Sequence, residues 1–477
     1  MLRFYGVLGS DTARSLAAAA GRHRGVSSRW PVGAPTTPAV GRPAPDSPDP
    51  VRRVAFAMAV ATVFLYFSRL HEIQASSLGA NFYLLYVFGL PPLLIVVSTG
   101  AMRRVFRARP SVYWVGFALW ITLAVPFSSW KGGSFQTLIG FFKAGMVMLL
   151  LIPGLTVTWR ECKAVMSAIA CASLVNLMSA RLFAARQYGG ERLGLSFGSI
   201  KDPNYFAAHL LLVLPFLLWV GLSSRSVVVR LGAFLGLGYG TYLVLGTGSR
   251  GGTVGLVMAA TFFLFRSTTR QRIVSLLCAP LALVVLLLVI PQETWQRILT
   301  FSAAARVNID PDSADDASAI GSTNAREYLL KRSIQYTFEH PLFGVGPGQF
   351  ASYEGKHMRY FGVHGMWHET HNSYTQVASE CGIPALLLFV AGIVSTFRLL
   401  SATHREARRR PDCEDIRTGV FCVMLGMTGF CTAATFLSLA YNCYLPALGG
   451  LAVSISLAAK AEFVLRDRGA PGPSGNS

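Results

Sequence analysis

Along this chain, uncharged apolar stretches of roughly 20 residues alternate with short segments rich in arginine, glycine or proline. A helix needs about 20 apolar residues to cross a bilayer, where its backbone amides find partners only within the helix itself. Twelve such runs can be marked, at 54–68, 80–98, 112–127, 134–153, 163–183, 205–222, 227–246, 250–266, 272–291, 373–397, 417–437 and 442–463. The first, third and eighth are short for a full crossing, so counts from ten to thirteen fit the pattern. The fold class this predicts is all-α, a polytopic membrane helix bundle of about twelve transmembrane helices. One connection is long, the segment 292–372 between spans 9 and 10.

Composition agrees, because 52% apolar and 14% charged residues leave too few charges for an ordinary soluble enzyme. Charge then sets orientation. With the N-terminus inside, roughly two thirds of the 43 lysines and arginines fall on one side, the bias expected of cytoplasmic loops. Both termini are therefore expected in the cytoplasm of a bacterial inner membrane protein. The domains become 1–53, a disordered cytoplasmic tail; 54–291, helices 1–9; 292–372, a large structured extracytoplasmic loop with an amphipathic helix; 373–463, helices 10–12; and 464–477, a cytoplasmic tail. The tail at 1–53 is rich in Arg, Ala, Pro and Ser and lacks the apolar core of a cleaved signal peptide. The net charge of +20 sits mostly at cytoplasmic helix ends, where anionic membrane lipid accounts for it and nucleic acid is not required. Eight cysteines follow no ligand spacing, which indicates neither a disulfide framework nor a metal site.

The candidate chemistry gathers on the outer side. In the long loop an acidic stretch at 310–316 precedes Asn324-Ala325-Arg326-Glu327, where Asn324 can cap a helix and Glu327 can answer its amide. Leu330, Ile334 and Phe338 then recur every fourth residue, giving an amphipathic helix closed by His340-Pro341 and the turn Gly344-Val345-Gly346-Pro347-Gly348. His368-Glu369-Thr370-His371-Asn372-Ser373-Tyr374 stands just before the tenth span. Its histidines lack the i, i+4 spacing of zinc hydrolases, and Asn372 suits a helix cap. Gly246-Thr247-Gly248-Ser249-Arg250-Gly251-Gly252 is a glycine-rich outer turn entering a helix, a place where anions bind. Between spans 5 and 6, Arg181, Arg186, Arg192 and Lys201 face only Glu191 and Asp202, an excess of cations on the side where few are expected. An anionic ligand at the outer surface explains that excess, and the paired donors of arginine suit phosphate. Beside it a histidine can accept a proton near neutral pH. Within the spans, Lys143 either snorkels, lines a cavity or touches a lipid phosphate. Glu380 is read as a packing or capping partner, and His209 as a satisfied polar residue.

These residues carry a resemblance. Lys201-Asp202-Pro203-Asn204-Tyr205-Phe206-Ala207, Gly248-Ser249-Arg250-Gly251-Gly252, Arg326 with Pro341 to Gly348, and His371-Asn372-Ser373-Tyr374 with Glu380 and Gly382 resemble, in order and placement, the O-antigen ligases, O-antigen polymerases and protein O-oligosaccharyltransferases. The resemblance covers roughly residues 190–395. It implies a metal-independent glycosyltransferase with no cofactor. The implied donor is an undecaprenyl-pyrophosphate-linked glycan and the acceptor a glycan, lipid A core or protein. It also implies that His371, Arg250 and Arg326 are catalytic, and that Arg192, Lys201, Asp202, Asn204, Asn372 and Tyr374 lie at the substrate. A ligase and a polymerase share these motifs, and both stay open. A transporter or flippase of the same lipid-linked glycan is the reading of another class, which would show midplane charges and paired broken helices in two related halves, of which this sequence has little.

Overall fold

The computed structural model describes residues 50–187, 192–196, 198–289, 292, 314–360 and 368–469. In chain order its helices are α1 (Pro50–Ser68), α2 (Leu70–Leu78), α3 (Leu84–Ser98), α4 (Met102–Val105), α5 (Arg109–Ala124), α6 (Lys131–Phe141), α7 (Val147–Leu155), α8 (Trp159–Phe183), α9 (Pro203–Ser223), α10 (Val227–Gly246), α11 (Arg250–Arg266) and α12 (Thr269–Val289). After these come α13 (Ala314–Glu339), α14 (Phe350–Tyr360), α15 (Ser373–Arg408), α16 (Glu414–Ala433) and α17 (Tyr444–Gly469). Each predicted apolar run coincides with a helix, one of them split into α6 and α7 by a π-turn at Phe142–Met146. Among the described residues nine helices are long and apolar enough by themselves to cross a membrane. The count of about twelve rests on the shorter α3 and α11 and on α12. The N-terminal tail to residue 49, Glu191 and residues 310–313 of the acidic stretch lie outside the described residues, while Asp315 and Asp316 belong to α13.

Local chemistry explains several helix starts. Thr158 and Glu161 form a reciprocal capping box on α8. Asp202, Ser226, Ser249 and Asn372 cap α9, α10, α11 and α15 with side-chain oxygens. Helix α9 is apolar on nearly every face, from Phe206 to Trp219, and so occupies the middle of the bundle against α8, α10, α11 and α16. His209 on it is buried, its Nε2 within 3.0 Å of the Phe67 carbonyl and 2.9 Å of Asn176 Nδ2. Lys143 sits in the π-turn with its ammonium 5.7 Å from the centre of the Tyr86 ring on α3.

Three features depart from the expectation. The connection between α8 and α9 holds a two-stranded antiparallel pair, β1 (Ala184–Gln187) and β2 (Arg192–Leu195), the one sheet among the described residues. Helix α13 begins ten residues before Asn324, which therefore lies inside it and does not cap it. Its buried side is also not the predicted one. Leu330, Ile334 and Phe338 are exposed, whereas Leu329, Ser333 and Tyr336 are buried. The cause is Glu354 of α14, a buried carboxylate held by Arg332 Nε at 3.0 Å and by the hydroxyls of Tyr328 and Tyr336. A buried carboxylate demands donors, and that demand outweighs burial of the aliphatic stripe.

Helix α15 is interrupted at Gly382, where φ is 82° and ψ 175°. The loop after α13 is seated in the gap. Val345 and Gly346 donate their amides to the carbonyls of Ser379 and Glu380 (both 2.9 Å), and Ile383 donates to the carbonyl of Pro341 (2.8 Å). Glycine is required on both sides, since a Cβ on Gly344 would lie 2.2 Å from the Glu380 carbonyl carbon and one on Gly382 2.1 Å from the Leu342 oxygen. The Glu380 carboxylate accepts the amides of Gly348 (2.9 Å) and Phe350 (3.2 Å), which caps α14 and matches the capping role expected of it.

Candidate functional site

Four stretches far apart in sequence meet at one end of the bundle. The first turn of α9 is their common point. Asp202 Oδ1 accepts the amides of Asn204 (2.8 Å) and Tyr205 (3.4 Å), so the cap fixes both side chains where the chain enters the helix. From β2 the buried Arg192 donates Nε to the Thr247 carbonyl at 3.0 Å and an Nη to Asn204 Oδ1 at 2.8 Å. One guanidinium thus ties the strand pair, α9 and the α10–α11 turn together, and its planar fork suits two acceptors. Arg250 is the first residue of α11, half-buried, behind the Ser249 cap. Gly251 and Gly252 let that end approach Phe436 and Ala207, where added Cβ atoms would come within 2.8 and 2.7 Å.

From the next position on α9, Tyr205 donates its hydroxyl to Glu369 Oε2 at 2.9 Å and lies 3.4 Å from the Ser438 carbonyl. Ser438, in the turn between α16 and α17, accepts the His371 amide on its Oγ at 3.0 Å. His371 itself has φ of 51°, a left-handed conformation uncommon for a residue with a side chain. That backbone is held on both sides, by Ser438 and by Asn372, whose carboxamide oxygen accepts the amides of Tyr374 (2.9 Å) and Thr375 (3.1 Å). The ring is half-buried, and its Nδ1 is buried with no hydrogen-bond partner. Burial, then the positive charge of Arg326 and the neighbouring His368, push the imidazole pKa down to about 4 against a smaller opposing pull from Asp202. The lowered value is the direction expected from nearby arginines. Arg326, half-buried on α13, is brought to His371 by the loop seated at Gly382.

A cavity of about 470 Å³ opens beside this junction, lined among others by Lys201, Asp202, Tyr205, Glu369, Ser438 and Asn442. The predicted residues therefore divide. Lys201 and Asp202 line the cavity, and His371, Arg326 and Asp202 share one electrostatic neighbourhood. Arg192, Asn204 and Asn372 bind the loops to one another. Tyr374 turns into the bundle, its hydroxyl on the Cys431 carbonyl at 3.2 Å. Arg181 stands exposed at the end of α8, and the side chain of Arg186 lies outside the described residues. Among the described residues no group of three or more His, Cys, Asp or Glu could hold a metal ion.

Sequence reasoning missed Tyr205 as a polar link and Ser438 altogether. It also missed Arg69, which is buried in a left-handed turn against the Tyr444 hydroxyl and Glu72. A lone outer arginine directly after an apolar run was the signal for Arg69; Ser438 carries none.

Residues 232–390, which hold Arg250, Arg326, the seated loop and His371, match a family model described as O-antigen ligase. The chain carries an O-antigen ligase domain. The resemblance read from the motifs is thereby borne out. The matched stretch begins after Arg192, Lys201, Asp202 and Asn204, so the first turn of α9 joins the O-antigen ligase domain through contacts rather than through the match. No curated protein matches the chain.

Proposed function

We propose that the O-antigen ligase domain transfers a glycan from an undecaprenyl-pyrophosphate carrier to an acceptor hydroxyl on the extracytoplasmic face of the bacterial inner membrane. The observation that carries this reading is His371, neutral down to about pH 4, with an unpartnered ring nitrogen and Arg326 close enough to act on its charge. A neutral imidazole can accept a proton and an adjacent guanidinium can stabilise an anion, which together are the needs of displacement at a glycosyl pyrophosphate. The acceptor O–H gives its proton to the imidazole as its oxygen bonds to the anomeric carbon. The bond from that carbon to the pyrophosphate oxygen breaks, and its electron pair leaves with the carrier. Arg250 and Arg326 stabilise the departing pyrophosphate. Lys201 lines the adjoining cavity and supplies further positive charge for the donor, while Arg192, Asn204 and Asn372 position the loops. The orientation is supported by the bias of lysine and arginine to the opposite side.

The test is full-length protein reconstituted in vesicles with lipid-linked glycan and a lipid A core acceptor. A new glycosidic bond to the acceptor, lost in His371→Ala, is expected. Joining of one lipid-linked repeat to another would make the enzyme a polymerase. Movement of the glycan across the bilayer without a new bond would overturn the transferase reading. Impermeant thiol reagents should label a cysteine placed at Lys201 from the extracytoplasmic side alone.

A further inference from the structure

At the end of the helices opposite His371, a cup of about 360 Å³ opens where the α11–α12 turn meets the last turns of α15 and the first of α16. Arg266, Arg272, Arg408 and Arg417 line it, and buried His404 forms part of its wall. Little in the protein answers these charges. Arg417 reaches Glu414 at 2.7 Å, and among the described residues it alone of the four has a carboxylate partner. Arg272 donates to the carbonyls of Leu264 (2.8 Å) and Phe265 (3.4 Å), capping the end of α11, and Arg266 stands 5.8 Å from the centre of the Phe262 ring. The Oγ of Ser267 on the same turn is buried without a hydrogen-bond partner. Four guanidinium groups around one small opening repel each other unless an anion joins them.

The cup is continuous with a second space. A groove of about 1090 Å³ runs up between α9, α10, α11 and α12, walled by Leu214, Leu218, Phe234, Leu237 and Phe263. Thr268 and Gln271 line both spaces, so the basic cup forms the mouth of the apolar groove.

We propose that cup and groove together are one binding site for an anionic phospholipid, its phosphate held by the arginines and an acyl chain laid in the groove. Each half excludes a simpler occupant. A soluble phosphate compound would leave the groove unused, and a lipid without net negative charge would leave the charge of the arginines uncompensated. The site has a structural consequence for the other face. Helix α11 starts at Arg250 and ends at Arg266, and α15 starts beside His371 and carries Arg408 in its last turn. A lipid bridging Arg266 and Arg408 clamps the far ends of the two helices whose near ends carry the candidate catalytic residues. The inference concerns lipid binding and does not depend on glycan transfer.

Native mass spectrometry of the full chain in detergent, with phosphatidylglycerol and phosphatidylcholine of identical chains in competition, tests it. Retention of phosphatidylglycerol is expected to exceed that of phosphatidylcholine by about tenfold or more, since each cation near an anionic headgroup adds to the preference. The pair Arg266→Gln with Arg408→Gln should bring the ratio close to one, and Arg266→Lys with Arg408→Lys should keep most of it. Ala260→Trp, which fills the groove, should lower retention of both lipids. Equal retention by the unmodified protein, or an undiminished ratio in a folded Gln pair, overturns the proposal. So does displacement of phosphatidylglycerol by millimolar inorganic phosphate together with an unaffected Ala260→Trp, which would assign the cup to a soluble phosphate compound. Should the Gln pair fail to fold, the ratio in the unmodified protein decides.

Discussion

The two ends of the bundle use arginine in opposite ways. Beside His371, Arg192 and Arg69 are buried, each with protein acceptors, and their work is to hold β2, α9, α17 and the α10–α11 turn in place. At the far end, Arg266, Arg272 and Arg408 stand exposed around an open cup. A buried guanidinium must find acceptors, so it becomes part of the scaffold; an exposed one keeps its water and can exchange it for a ligand. The first arrangement preorganises a site for a defined geometry, which is what transition-state stabilisation requires. The second gathers whatever anion the surroundings offer.

The contrast can be broken most sharply at His371. Its replacement by Ala should lower transfer by about 10² to 10⁴, the range of general-base catalysis, with donor binding retained. The Arg266→Gln, Arg408→Gln pair should leave transfer in neutral lipid intact. Normal transfer by the His371→Ala protein would remove the base from that end. Next in size is Gly382→Ala. A residue with a Cβ is strained by about 1–3 kcal/mol in that backbone conformation, before the contact with the Leu342 oxygen is counted. The thermal midpoint in detergent should drop and the seated loop should become accessible to protease. An unchanged midpoint would mean that the loop does not depend on the gap in α15.

Smaller effects sharpen the picture. Arg250→Lys and Arg326→Lys keep the charge but lose the fork, and each should cost about 10 to 10² in turnover at unchanged protein level. Full activity in both would reduce them to diffuse attraction like that of the far-end arginines. The pH profile comes next. Because the His371 pKa is lowered to about 4, the ring stays deprotonated as pH falls through 6.5, and kcat/KM should hold level from pH 8 to 5 and decline only towards 4. An inflection near 6.5, assigned to His371 by its loss in a variant, would show the ring to be open to water. The smallest effect belongs to His368→Ala. His368 is exposed, its ring 6.3 Å from that of His371, and transfer should change by less than about twofold.

What was legible in the sequence was legible for local reasons. The apolar runs became helices because lipid leaves the backbone no other partner over about 20 residues. Asn372 became a cap because a cap needs only the next three residues. The family could be read because its motifs are short and ordered. Chain-distant pairings were another matter: Arg192 with Thr247, Tyr205 with Glu369 and Ser438 with His371 each join residues more than fifty positions apart. No periodicity encodes them. Helix α13 shows the limit most clearly, since spacing alone favoured burying Leu330, Ile334 and Phe338, and the buried carboxylate of Glu354, in need of donors, turned another face inward. The sequence by itself determined a membrane bundle and the residue types of its chemistry. Tertiary structure alone decided which arginines are scaffold and which remain open to a ligand, because a guanidinium's role depends on the acceptors that folding brings within reach of its five N–H donors.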